Sequence, residues 1–216
     1  MDNAGLISVE TLLEYLDEGA PNRLRDYFCS GRFSGGRFER FAGGGDSDEI
    51  ANLFTPADVV AVSMLGVRIP GHTALQLLEK RSDEFGALLE NVPTGLDLWN
   101  AGDEIIGDGS SAGRLWEALQ TIRGISWVIA GKLLARKRPR LLPVYDHVVK
   151  QALGNPAHFW TPLRDVLRDD GDLRAQVERL RTSSGIGDDI SLLRVLDVAI
   201  WMKAHGQPEP VPDAES

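Results

Sequence analysis

The chain of 216 residues has a single cysteine, Cys29. One thiol excludes an internal disulfide and any zinc or other metal cluster built on four cysteines. No run of 18 apolar residues occurs, so no segment has the length and apolarity of a membrane-spanning helix. The opening residues lack the basic flank and apolar core of a signal peptide. Together these absences point to a reducing, cytoplasmic setting. No internal repeat appears either. What remains is an ordinary globular composition, 43% hydrophobic and 25% charged, enough for one domain or two closely packed lobes around a real core.

Positive charge is also in short supply: 23 Lys and Arg face 32 Asp and Glu, for a formal net charge of −9. That balance argues against a nucleic-acid coat protein, which is basic throughout. The scarce cations are concentrated. Residues 122–150 hold seven (Arg123, Lys132, Arg136, Lys137, Arg138, Arg140, Lys150) against one acid, Asp146. Residues 21–41 hold five arginines against Asp26 and Glu39. The expectation is a basic face on an acidic body, which orients a polyanion.

The periodicity predicts an all-α fold of eight to ten helices. Ser8 reads as the cap of a first helix with Leu12, Leu13 and Leu16 on one face. The segment 21–45 is an insert in which arginines alternate with Tyr27, Phe28, Phe33, Phe38 and Phe41 among many glycines. Two readings stand side by side: a surface that stacks bases and neutralises phosphates, or a bent loop whose phenylalanines plug the core. Thr55-Pro56-Ala57-Asp58 opens a helix apolar nearly all round. Ser82 is placed as a cap for the helix ended by Pro93, and Ser110 or Ser111 for the next. Pro162 and Asp172 open two more helices. The turn at 183–189 is a weak phosphate cradle, and 192–205 is a central C-terminal helix. Residues 1–205 thus make one all-α domain, and the Pro-rich acidic tail at 206–216 is expected to be disordered.

Within 110–153, two helices flank a turn at Gly124, Ile125 and Ser126. Glycine there permits positive φ, and the amides that open the second helix suit a phosphate. Ile125 is expected to face inward and hold the helices together. The basic cluster Lys132–Arg140 falls at that helix's far end, where cations also complement the dipole for a few tenths of a kcal/mol each, up to about 1.

This stretch resembles the helix–hairpin–helix DNA glycosylases, the superfamily with a Leu-Pro-Gly-Val-Gly-x-x-Thr-Ala turn followed by a Pro-containing linker and Val-Asp. The matching residues run Ile122, Arg123, Gly124, Ile125, Ser126 through Ala130, then Leu142, Pro143, Val144, Tyr145, Asp146. From Gly124 to Asp146 is 22 residues, the family's spacing from turn glycine to catalytic aspartate. The chain departs at Arg123, where the family has proline, and at Ser126, where it has glycine. Val128 stands where bifunctional members place a Schiff-base lysine, and the four-cysteine iron–sulfur loop is absent.

The resemblance implies a monofunctional enzyme that hydrolyses the N-glycosidic bond of a damaged or modified base, with water as nucleophile and no cofactor. Asp146 becomes the catalytic carboxylate, stabilising positive charge on the sugar and positioning water. Its plainer readings are a helix N-terminal acid, or an i,i+4 pair with Lys150 worth about 0.3–0.5 kcal/mol. Arg123, Gly124, Ile125, Ser126, Lys132, Arg136, Lys137, Arg138, Arg140 and Lys150 are the expected DNA contacts. Tyr145, Trp127, Phe33 and Phe38 are candidate walls for a flipped base. The implied partner is double-stranded DNA, with neither a membrane nor an obligate protein partner indicated. The target is an alkylated base or a modified cytosine of phage DNA, and the role repair or anti-phage defence. A non-catalytic helix–hairpin–helix DNA-binding module is the alternative. Asp146, His147 and His158 match no metal-ligand spacing.

Overall fold

The computed structural model describes residues 7–205; the tail expected at 206–216 lies outside the described residues. Among them every regular element is helical. In order these are α1 (Val9–Tyr15), α2 (Ala20–Cys29), α3 (Pro56–Ser63), α4 (Gly71–Leu75), α5 (Ser82–Glu90) and α6 (Asp103–Ile106). Then come α7 (Ser111–Gln120), α8 (Trp127–Lys137), α9 (His147–Ala152), α10 (Trp160–Asp169), α11 (Gly171–Ser184) and α12 (Leu192–His205). The number exceeds the eight to ten expected because α2 occupies the first part of the 21–45 insert, read as a bent loop, and α6 is a single turn too short to show a helical period.

Local chemistry sets most boundaries. Ser8, Ser110 and Asp170 each accept an amide of the first turn they precede. Thr55 and Asp58 form a reciprocal capping box at α3. Ser82 caps nothing: it is the first residue of α5, because a wide π turn at Gln76–Lys80 carries α4 almost directly into α5.

Packing divides the helices into two lobes. α12 is buried along most of its length and packs on α1, α2, α9 and α11. α3 lies on α8, and α7 on α5, α6 and α8. α10 joins the two groups through α6 and the turn Leu98–Asn100. The chain ends thus fold together, and the middle third forms the other lobe.

The insert at 21–45 is largely a plug. Phe38 is completely buried, and Tyr27 and Phe28 are in the core. Its arginines are mostly engaged: Arg23 with Asp17, Arg32 with Asp26, and Arg40 with Asp189 in the Gly-rich turn 183–189.

The basic cluster at the end of α8 overturns an expectation. Lys132, Arg136, Lys137 and Arg138 are all buried, at most 3% exposed, and none presents its charge to a phosphate. Arg136 donates to the carbonyls of Phe38, Glu39 and Phe41, and Lys137 to those of Gly45 and Ile50. Arg138 donates to Leu89, Ala51 and Val92 and to the Asn52 side chain. The reason is backbone satisfaction. The irregular loop 38–51 lacks the ladder of a long helix or a strand, so its buried carbonyls need other donors. Asp58 supplies the counter-charge, 3.1 Å from Arg136 Nε and 2.8 Å from Lys137 Nζ, and is itself fully buried. Arg138 meets only neutral acceptors, and burial pulls its pKa down to about 10. The cluster is a structural lock. Arg140 is exposed but paired with Asp97 at 2.7 Å.

Candidate active-site cleft

The connection between α7 and α8 covers residues 121–126, longer than the three-residue turn expected, because α7 stops at Gln120. Ile122 and Ile125 point into the core, while Arg123, Gly124 and Ser126 are exposed. Ser126 caps α8 by accepting the Ile129 amide at 3.3 Å. Gly124 has φ +96°, and a Cβ there would stand 2.6 Å from Thr73 Oγ1, the hydroxyl that donates to the Arg123 carbonyl. Gly124→Ala is therefore expected to cost about 1–3 kcal/mol of stability, read from a urea midpoint.

From α8 the chain returns through 139–146 to α9. Asp146 caps α9: its Oδ1 accepts the amides of Val148 and Val149 at 3.0 and 3.1 Å. The Asp146 carboxylate also lines a cleft of about 230 Å³ between the two lobes. Lys132 Nζ lies 3.8 Å from Asp146 Oδ2 and donates to the Leu65 carbonyl at 2.9 Å. Burial lowers the Lys132 pKa, with Asp146 working against that shift. The pair with Lys150 does not form; Lys150 sits over the Trp127 ring instead.

One wall of the cleft is aromatic. Tyr27 and Phe33 stack with centroids 5.1 Å apart, and Trp201 meets both edge-on. Behind them lie Arg194 and Asp197, one turn apart on α12 and ion-paired. Arg194 also donates to the Tyr27 hydroxyl at 2.7 Å. Burial pushes the Asp197 pKa up to about 7; Arg194 opposes the shift and Asp146 adds to it. Asp197 is thus faced by Arg194, Lys132, Asp146 and Tyr27. Unfolded, Asp197 ionises near 3.8, so between that value and about 7 the folded protein holds the extra proton. Its contribution to stability is complete below pH 4 (roughly) and is lost as pH rises through neutrality. Asp197→Asn is expected to flatten that part of the stability profile, measured by urea unfolding across the range.

The expected base-pocket residues separate. Phe33 is at the cleft and Phe38 is core. Tyr145 and Trp127 line a different cavity, of about 580 Å³, on the other side of the 143–146 segment. Along that extended run the side chains alternate: Pro143 and Tyr145 line the larger cavity, Val144 and Asp146 the cleft. His158 is in the larger cavity too, apart from Asp146. Sequence reasoning missed Arg194, Asp197 and Trp201. The available signal was two charges three residues apart, and a tryptophan one further heptad along, on a helix otherwise apolar enough to be buried.

The architecture is a two-lobed helical protein with a carboxylate and an amine in an aromatic-walled cleft. The chain belongs to DUF6308, a family of unknown function whose match spans residues 20–204. No curated protein and no solved structure matches it.

Proposed function

We propose that this protein is a monofunctional DNA glycosylase, releasing a modified base by hydrolysis with Asp146 as the catalytic carboxylate. One observation carries the reading. Asp146 is fixed by two backbone amides through one oxygen, while its carboxylate lines a cleft walled by Tyr27, Phe33 and Trp201. That arrangement suits a flat ring stacked on aromatics with its sugar over an ionised carboxylate.

The cleft volume narrows the substrate. About 230 Å³ is below the range of roughly 300–1,000 Å³ typical of drug-sized ligands and suits one heterocycle. A small modified base, such as an alkylated one, is favoured over a glucosylated cytosine. The alternative of a non-catalytic DNA-binding module loses its main support, since the Lys132–Arg138 patch is internal. Arg37, Arg68 and Arg123 are exposed cations available to meet a backbone, and Arg32 lines the cleft paired with Asp26.

The test is base release, followed by mass spectrometry, from duplexes carrying alkylated, deaminated, oxidised or phage-type bases. Release of a small base with an abasic product is expected. Release of none of them would end the proposal. Borohydride trapping in the same assay bears on the nucleophile. Val128 is buried and offers no amine, but Lys132 lies one turn further along in the cleft. A trapped covalent complex lost in Lys132→Met would overturn the water mechanism.

A further inference from the structure

The larger cavity is not used by this chemistry, and its construction is specific. Trp116 and Trp160 meet at 75° with centroids 6.4 Å apart. Tyr145 stacks on Phe159 at 3.8 Å, and Trp127 completes the wall. Three of the chain's five tryptophans therefore line one hollow, where each remains partly exposed instead of filling the core. Aromatic faces gathered in this way stack flat rings.

The polar groups around the hollow decide what else the ligand carries. Glu117 and Asp108 contribute exposed carboxylates, which accept hydrogen bonds from sugar hydroxyls in the way an acidic side chain holds a ribose. Gln120 uses its amide N–H on the Trp116 carbonyl at 3.1 Å, leaving its own oxygen as an acceptor for a ring edge. Against those two carboxylates the lining has one permanent cation, Lys150, already placed over Trp127 at 5.4 Å, and His158 beside Asp108. Such a lining repels a phosphate. At about 580 Å³ the cavity has room for a ring and its sugar together.

We propose that this cavity binds a free, uncharged nucleoside, its base stacked on Trp160 with Trp116 against its edge, and its sugar hydroxyls on Glu117 and Asp108. This site is separate from the cleft and does not depend on the glycosylase reading.

Titration of the full chain, followed by tryptophan emission and by calorimetry, tests it. The probes are the common ribonucleosides and deoxyribonucleosides, their 5′-monophosphates and a short single-stranded oligodeoxynucleotide. At least one ribonucleoside is expected to saturate, at least tenfold more tightly than its monophosphate. Glu117→Gln, at an exposed position, is expected to weaken that binding about tenfold, Trp160→Ala to remove it, and Asp146→Asn to leave it unchanged. The proposal is overturned if no nucleoside saturates, or if the monophosphate or oligonucleotide binds more tightly. It is overturned equally by unchanged affinity in Glu117→Gln, or by loss of binding in Asp146→Asn, which would put the ligand in the cleft.

Discussion

Replacing Asp58 by asparagine is expected to destabilise the fold by about 3–5 kcal/mol, a large part of the roughly 5–15 kcal/mol that holds a domain together. The substitution is nearly isosteric, yet it leaves Arg136 and Lys137 buried without a counter-charge. Removing one partner of a buried pair is costly because the remaining charge cannot return to water. Asp58 also closes the capping box with Thr55, and that contribution can be measured alone. Thr55→Ala loses the cap and keeps the ion pairs, for a cost of about 1 kcal/mol. Urea unfolding of the two variants separates the terms. Equal losses would show that the cap, not the charge, is what Asp58 supplies.

Asp146→Asn is the complementary case, with a large effect on chemistry and a small one on stability. Asparagine caps a helix about as well as aspartate, so the amides of Val148 and Val149 keep their acceptor; only the longer, 3.8 Å pairing with Lys132 is lost, so the urea midpoint should fall much less than in Asp58→Asn. What disappears is the negative charge in the cleft. On the proposed hydrolysis, losing a group that stabilises transition-state charge costs on the order of 10²–10³ in rate, and base release is expected to fall by at least that much. Binding to substrate duplex should persist. Asp146→Ala would confuse matters by removing cap and charge together. If Asp146→Asn retains wild-type base release, the carboxylate is a cap alone.

The fold was legible where local chemistry decides it. Ser8, the Thr55–Asp58 box, Ser110 and the inward-facing Ile125 could all be read from residue type and spacing. The basic cluster was misread for a physical reason. A sequence shows charge but not what a charge is needed for, and seven cations beside one acid suggest a surface. The main partners of Arg136, Lys137 and Arg138 are backbone carbonyls of the loop 38–51 and of the end of α5, which carry no signature of their own. A clue was present in the glycines at 43–45, which mark backbone unable to satisfy itself by a ladder. The cleft was half legible. Spacing marked Asp146, but Trp201, Arg194 and Asp197 reach it from the last helix through tertiary packing.

The lock between α8 and the loop 38–51 also sets an order of assembly. As the chain leaves the ribosome, those carbonyls stay with water until residues 136–138 have been made. α2 in turn packs on α11 and α12, whose last residue is His205. The N-terminal segment therefore matures last although it is synthesised first. Long-range closure of this kind slows folding relative to a bundle whose neighbours are sequential. Until α11 and α12 are made, the apolar face of α2 has no partner to cover it.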